Sequence, residues 1–353
     1  MPVRNEERHL AESVRGMLSQ DYPGELELVL AVGPSGDRTE QIARELAAAD
    51  PRITVVPNPA GKIPAALNAA VRAARHQVIA RMDGHAVPPP GYLATAVATL
   101  AETGAADVGG VMAAEGVTTF GRAVAWALTS KAGVGSAAFH TGGKAGPALS
   151  VYLGVYRREA IEQAGGWDEG MLRAEDWDLN YRIRSRGGVV WFTPDLRVTY
   201  RPRSSVRALA AQYYHYGRWR RVIVREHPET ASFRYLAPPV AAAAVTAGTA
   251  AGAAGLAGLA AGAPAGVRWL ALGLVIPATY LAGITAAGAA LSRELPGPVR
   301  LRVPLVLGIM HMAWGAGFLT SPGSLHRPFG PDLDARVGQP GPAGAAATAA
   351  GAE

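Results

Sequence analysis

The chain has 353 residues, 34 Lys and Arg against 28 Asp and Glu for a formal net charge of +6, and no cysteine. That length can bury a substantial core in one or two domains, and the lack of Cys excludes a disulfide scaffold, a thiolate zinc site, an iron–sulfur cluster and a Cys nucleophile. Charge is unevenly distributed: between Ala237 and Ser292 the one charged residue is Arg268, so the chain reads as a polar half followed by a membrane half.

The pI near 9.7 suits an anionic partner, either a lipid surface or a phosphorylated small molecule. No aromatic-plus-basic motif of the nucleic-acid-binding kind occurs, and no nucleic acid is expected. The opening residues Met1 to Glu7 are polar and lack the apolar core of a signal peptide.

In chain order, Glu6 to Gln20 places Leu10, Val14, Met17 and Leu18 on one helical face, with Asn5 as the N-cap. Leu26 to Val32 reads as a buried strand, followed by the turn Gly33 to Asp37 and a helix over Thr39 to Ala49. Arg52 to Pro57 is a strand, Ile63 to Arg75 a helix, and Gln77 to Met82 a strand ending at Asp83. A turn at Pro88 to Pro90 leads to a helix over Tyr92 to Glu102 and a strand near Val108 to Met112. Strands alternating with helices imply an α/β fold, a mostly parallel sheet with helices on both faces. Such a domain ordinarily opens with an apolar strand, whereas this sequence starts at the loop after it. The first strand is expected to be a stub or, preferably, to lie upstream of Met1.

The second half holds three apolar stretches. Pro238 to Ala263 is Ala/Gly-rich and suits close helix packing. Val267 to Leu291 is a clearer span, and Val303 to Thr320, with His311 inside it, is about 18 residues long, the lower limit for crossing a bilayer. Basic residues precede the first stretch (Arg218, Arg220, Arg221, Arg225) and separate the second from the third (Arg293, Arg300, Arg302). The positive-inside rule then places the N-terminal domain in the cytoplasm, in a multi-pass protein of the cell membrane. Three spans put the tail outside; a re-entrant third segment keeps it inside. The expected domains are 1–205 catalytic, 206–235 an interfacial amphipathic segment, 236–320 membrane with about three spans, and 321–353 a disordered tail.

Four local patterns carry chemistry. Arg81-Met82-Asp83-Gly84-His85 sits at the C-terminal end of a predicted strand, where ligands of open α/β sheets gather, and Asp83 with His85 can reach one divalent cation bridging a diphosphate. Glu175, Asp176 and Asp178 open a helix; the helix dipole explains part of that crowding, and a base whose proton affinity is raised by like charges explains the rest. Lys62 precedes a helix start and can meet phosphate. The run from Gln212 to Arg221 suits an interfacial helix, and equally a diphosphate or a sugar ring.

Read together with Pro2 to Glu7, Gln20-Asp21-Tyr22-Pro23, Ser35 to Thr39, Gly61 to Asn68 and Gly165-Gly166-Trp167-Asp168-Glu169, these patterns resemble glycosyltransferase family 2. Within it they are similar to the membrane-attached, succinoglycan-type glucosyltransferases of exopolysaccharide assembly. The resemblance covers residues 1–235. It implies a GT-A fold, a nucleotide-diphosphate sugar donor, a lipid-linked or polysaccharide acceptor, a divalent cation (Mn or Mg) and inversion at the anomeric carbon. By position it assigns Pro2, Arg4 and Glu6 to the nucleotide pocket and Lys62 to the diphosphate; Asp83 falls on the first carboxylate of the metal motif, with His85 as a further metal ligand, and Arg81 counts with the donor-binding residues. Asp176, beside Glu175, falls on the catalytic base, and Gln212, Arg218 and Trp219 on the motif that holds acceptor and diphosphate.

The chain departs from the family pattern in three places. Val32 and Gly33 stand where an acidic pair is usual, His85 stands where Asp is usual, and five residues separate Gln212 from Arg218. The first removes a carboxylate contact to the base; the second favours manganese or another transition ion. Two other classes fit less of the sequence: a polyprenyl-phosphate sugar transferase, and a catalytically silent membrane subunit of a polysaccharide synthase.

Overall fold

The computed structural model describes residues 1–326. It opens with β1 (Pro2–Val3), a two-residue stub parallel to β2 (Leu28–Val32). Between them α1 (Leu10–Leu18) buries Leu10, Val14 and Met17. This helix starts at Leu10, not Glu6. Asn5 adopts a left-handed backbone with φ 56°, a conformation Asn tolerates, and its Oδ1 accepts from Gly36 N at 2.8 Å. Asn5 therefore ties two loops together and does not cap α1.

Every residue of β2 is apolar and buried, as a strand covered on both faces requires. α2 (Thr39–Ala49) leads to β3 (Ile53–Pro57), parallel to β2. α3 (Ile63–Ala73) has Pro64 in its first turn, where a missing N–H costs nothing, and turns Ala65, Ala66, Leu67 and Ala70 inward. The first sheet is β1-β2-β3.

A second sheet is built from β4 (Val78–Ala80), α4 (Tyr92–Thr103), β5 (Asp107–Ala114), the helices α5 (Thr119–Thr129), α6 (Lys131–Val134) and α7 (Ala138–Thr141), then β6 (Gly146–Pro147), β7 (Tyr152–Arg157), α8 (Arg158–Gln163), α9 (Glu175–Ser185) and β8 (Val190–Tyr200). Its order is β4-β7-β5-β8-β6. β5 and β8 are parallel, while β7 runs antiparallel to β4 and β5, and β6 to β8. Parallel pairing thus follows the strand–helix alternation, and the antiparallel strands arise after α7. One apolar cluster centres on Leu10, Leu30, Val108 and Val155, another on Tyr156, Trp167, Leu179 and Phe192.

Beyond β8 come α10 (Val206–Glu226), α11 (Phe233–Ala260), α12 (Ala265–Trp269), which continues through a 3-10 segment into α13 (Val275–Leu291), α14 (Gly297–Arg300) and α15 (Val303–Leu319). Three helical segments are long and apolar enough to cross a membrane: Phe233–Ala260, Ala265–Leu291 and Gly297–Leu319. The first two form an antiparallel hairpin in which Gly248 faces Ile276, Gly252 Leu274, Gly255 Ala271 and Gly258 Val267. Small residues at this spacing let the two backbones approach closely. Residues 321–326, assigned from sequence to the tail, pack back onto α10; 327–353 lie outside the described residues.

Candidate active site

The loops that follow β1, β2, β3 and β4 meet. Arg4 Nε donates to the Pro34 carbonyl and Arg4 Nη1 to that of Gly61, both at 3.1 Å. Gly61 has φ 63° and would bring a Cβ against Pro34 and the Arg4 guanidinium, so the turn calls for glycine. Glu6 Oε1 lies 2.9 Å from His85 Nδ1. Ser13 Oγ, from α1, donates to the carbonyls of Asp83 and Ala86, which pins the loop after β4.

Arg81 is the hub. It is 7% exposed and its guanidinium meets three carboxylates: Asp83 at 3.4 Å, Glu175 at 3.3 Å, and Asp176. Unpaired, so deeply buried a cation would be strongly destabilising; with three acidic partners it draws the start of α9 onto the end of β4. Ala174, just before Glu175, is held at φ 61°, a backbone strain of the kind that clusters at functional sites.

The Glu–Asp pair is differentiated by its surroundings. Glu175 is buried, and that burial, followed by the charge of Asp176, pushes its carboxyl well up from the ordinary value, against the pull of Arg81. Asp176 keeps a 25% exposed side chain. Its Oδ1 takes both Arg81 and the Trp167 indole N–H, the latter at 3.1 Å. Among the described residues no partner meets its Oδ2. Behind the pair, fully buried Asp107 has its carboxyl pushed up by burial and then by Asp176.

Lys62 Nζ reaches the Glu169 carbonyl at 3.4 Å, and Asn68 holds the same loop through the Trp167 backbone and Glu169 Oε1. His326 closes that loop from the far end of the chain: its Nε2 lies 2.7 Å from Asp168 Oδ2 and its Nδ1 2.5 Å from Glu226 Oε1.

The structure thus brings together Arg81, Asp83, Glu175 and Asp176, with Glu6 and His85 beside each other and Pro2, Arg4 and Lys62 in the adjoining loops. The α10 residues are placed differently. Gln212 Nε2 donates to the hydroxyls of Tyr200 and Tyr216. Arg203, after β8, acts electrostatically on both Tyr216 and His85, which sets this group at the edge of the acidic site. Arg218 lies over the Tyr214 ring, and Trp219 is 5% exposed, packed among Met171, Trp177, Val222 and Ile223. Trp167, Asp107, Arg203 and His326 are not sequence-predicted site residues. Only Trp167 had a signal, its place in the Gly-Gly-Trp-Asp-Glu run.

For a divalent cation, Asp83 offers a carboxylate and His85 an imidazole. Glu6 engages His85 Nδ1 and leaves Nε2 open, the arrangement in which a ligating histidine is oriented by a carboxylate on its other nitrogen. Among the described residues no three His, Asp or Glu side chains form a ready-made cage, so oxygens of a bound ligand would have to complete the shell.

Comparison with known proteins gives the family and the fold. The glycosyl transferase family 2 model matches residues 1–165. The succinoglycan biosynthesis protein ExoA of Rhizobium meliloti (strain 1021) is 32% identical over 325 residues, 90% of this chain and 92% of that protein. A dolichyl N-acetyl-alpha-D-glucosaminyl phosphate 3-beta-D-2,3-diacetamido-2,3-dideoxy-beta-D-glucuronosyltransferase of Methanococcus voltae is 24% identical over 242 residues, 64% of this chain and 73% of that one. Among solved structures, the mannosyltransferase PcManGT of Pyrobaculum calidifontis, in complex with GDP-Man and Mn2+, has a TM-score of 0.58 at 20% identity over 90% of this chain and 85% of its own, and so shares the GT-A-like fold. By these relationships the chain is a sugar-transferring enzyme and belongs to glycosyltransferase family 2.

Proposed function

We propose that the enzyme transfers a sugar, with inversion at the anomeric carbon, from a nucleotide-diphosphate sugar to a hydroxyl of a lipid-linked or polysaccharide acceptor, from the cytoplasmic face of the cell membrane. The likeness to a succinoglycan biosynthesis protein supports exopolysaccharide assembly as the setting. The observation that carries the reaction is Asp176, one oxygen fixed by Arg81 and Trp167 and the other open, beside Asp83.

In this reading Asp176 Oδ2 takes the proton of the acceptor hydroxyl as its oxygen attacks the anomeric carbon. The bond from that carbon to the diphosphate oxygen breaks on the opposite face, and the nucleoside diphosphate leaves with the bonding pair. Glu175, held protonated or paired with Arg81, keeps a second negative charge away from the base. Asp83 and His85 would hold a divalent cation, Mn or Mg, which when bound neutralises charge on the diphosphate. Lys62 and Arg203 add positive charge to the rim, and Pro2, Arg4 and Glu6 border the nucleotide. Gln212, bonded to Tyr200 and Tyr216, is the α10 residue assigned to the acceptor side, whereas Arg218 lies over Tyr214 and Trp219 packs α10.

The test is a panel of nucleotide sugars offered to membranes containing the protein, with manganese or with EDTA, scored for nucleoside diphosphate and for glycosylated lipid. Asp176→Asn is expected to fold and bind donor while losing at least ~10²-fold in transfer, the usual size of a general-base effect. Near-normal turnover by that variant removes Asp176 from the role.

A further inference from the structure

The three apolar segments differ in what they touch. The far part of the hairpin, Gly248 to Gly258 of α11 against Val267 to Ile276, contacts only itself in the glycine packing described above, and none of the most apolar stretch of Ala265–Leu291 is buried. α15 is held to the catalytic domain along its whole length. Before it, Trp126 Nε1 of α5 donates to Glu294 at 3.0 Å, and Val299 and Val303 are buried with Met112, Ala123, Val124 and Leu128. In its middle, His311 Nε2 lies 2.9 Å from the Ala132 carbonyl of α6. After it, Ser321 Oγ donates to the Arg218 carbonyl, Arg225 donates to the carbonyls of Ser321 and Pro322, and His326 binds Asp168 and Glu226.

α15 also runs alongside α10 in the same direction. Leu209 and Tyr213 pack with Val303 to Met310, Gly217 faces the Trp314 backbone, and Glu226 meets His326. Against the hairpin, Gly315 meets Pro238 and Ala242, while Gly288 meets Pro304, Ile284 meets Gly308 and Tyr280 meets His311 in a row along α13, on the half of the hairpin away from its turn. The helical run Gly297–Leu319 has 23 residues, about 35 Å at 1.5 Å per residue, so length alone does not decide its placement. With both ends and the middle fixed to one water-facing domain, its two ends cannot lie on opposite sides of a hydrocarbon core of about 30 Å.

We propose that α15 packs against the lower half of the α11–α13 hairpin as a membrane-surface helix, so that the hairpin alone spans the bilayer and residues 292–326 return to the side of the catalytic domain. The occupant of its open face is lipid. Leu301 (83% exposed), Leu305 and Leu319 are exposed apolar residues continuous with the uncovered hairpin, and Arg293, Arg300 and Arg302 are placed for anionic headgroups. The charges agree: several Arg residues cluster before α11 and after α13, whereas Arg268 alone lies near the turn at 261–264.

Because the chain has no cysteine, single reporters can be introduced without background. Glu115→Cys marks the catalytic domain, Ala261→Cys the hairpin turn and Ser324→Cys the segment after α15; all three positions are exposed. A membrane-impermeant maleimide is applied to right-side-out and to inverted vesicles. Glu115→Cys and Ser324→Cys are expected to react in the same vesicle orientation and Ala261→Cys only in the other. Reaction of Ser324→Cys with the Ala261→Cys orientation overturns the proposal, as does reaction of all three in one orientation. A C-terminal epitope tag on the otherwise unchanged chain provides a second readout. Protease should remove it from the vesicles in which Glu115→Cys reacts, and protection there overturns the proposal equally.

Discussion

Trp167 donates its indole N–H to Asp176 Oδ1 over 3.1 Å, from a ring that is itself fully buried and edge-on to Tyr156. With Arg81 on the same oxygen, the carboxylate is fixed in rotation and presents Oδ2. Trp167→Phe keeps the apolar filling and removes the donor. Turnover is expected to fall by roughly ten- to a hundredfold, the worth of a hydrogen bond to a charged group, with KM for the donor sugar unchanged. Steady-state kinetics decide it; a loss confined to KM would assign Trp167 to donor binding.

Glu175 responds to pH in the opposite sense to an ordinary ion-paired carboxylate. Its folded proton affinity is raised, chiefly by burial and then by Asp176, from a reference value of 4.5. The folded state therefore keeps a proton that the unfolded chain releases as pH climbs past 4.5, and stability declines from there up to the raised folded value. Glu175→Gln removes this titration. Its unfolding temperature at neutral pH should equal or exceed that of the parent, with a flatter pH dependence in the weakly acidic range. A lower unfolding temperature at neutral pH would mean that the pairing with Arg81 outweighs the burial.

His326 behaves as a clasp between two acids. Burial alone would lower its pKa, but the hydrogen bonds and charges of Asp168 and Glu226 more than reverse this and push it up to about 9. Since the unfolded value is 6.5, the stabilisation is complete below that pH and lost as pH rises through about 9. Hydrogen exchange of residues 166–171, corrected for intrinsic rates, should accelerate across that upper range in the parent. In His326→Gln it should be fast already at neutral pH and show no such step. A parent protein without the step contradicts the assignment.

α10 and α15 approach at two glycines. A methyl on Gly217 would overlap the Trp314 carbonyl, and one on Gly317 that of Tyr214. Gly217→Ala should cost about 1–3 kcal/mol, as overpacking does, read as a lower melting temperature in detergent. Gly266→Ala, where the space is open, should leave it unchanged or slightly higher.

Much of the first half was legible because its signals are local. Leu28 to Val32 is an uninterrupted apolar run, and Pro64 marks a helix start. The charged motifs at 81–85 and 175–178 stand out against a chain poor in charge. The antiparallel β6 and β7 were not legible, since two- and six-residue strands after short helices leave no period to read. Val303 to Thr320 was legible as an apolar stretch, and the helical run Gly297–Leu319 is long and apolar enough to cross a membrane, but hydropathy does not say whether lipid or protein covers it. Asp107 and His326 escaped notice for a related reason: each acts through partners distant in sequence, and one ionisable residue in an apolar stretch or a tail has no pattern of its own.

The return of the chain from α15 to the Asp168 loop also sets an order on biosynthesis. A ribosome releases Arg81, Asp83 and Asp176 long before His326, so a nascent polypeptide holds these side chains before it holds the latch beside Trp167. The finished pocket therefore waits for translation of every apolar helix, and a truncated product halted within α11 or α13 leaves that latch unmade.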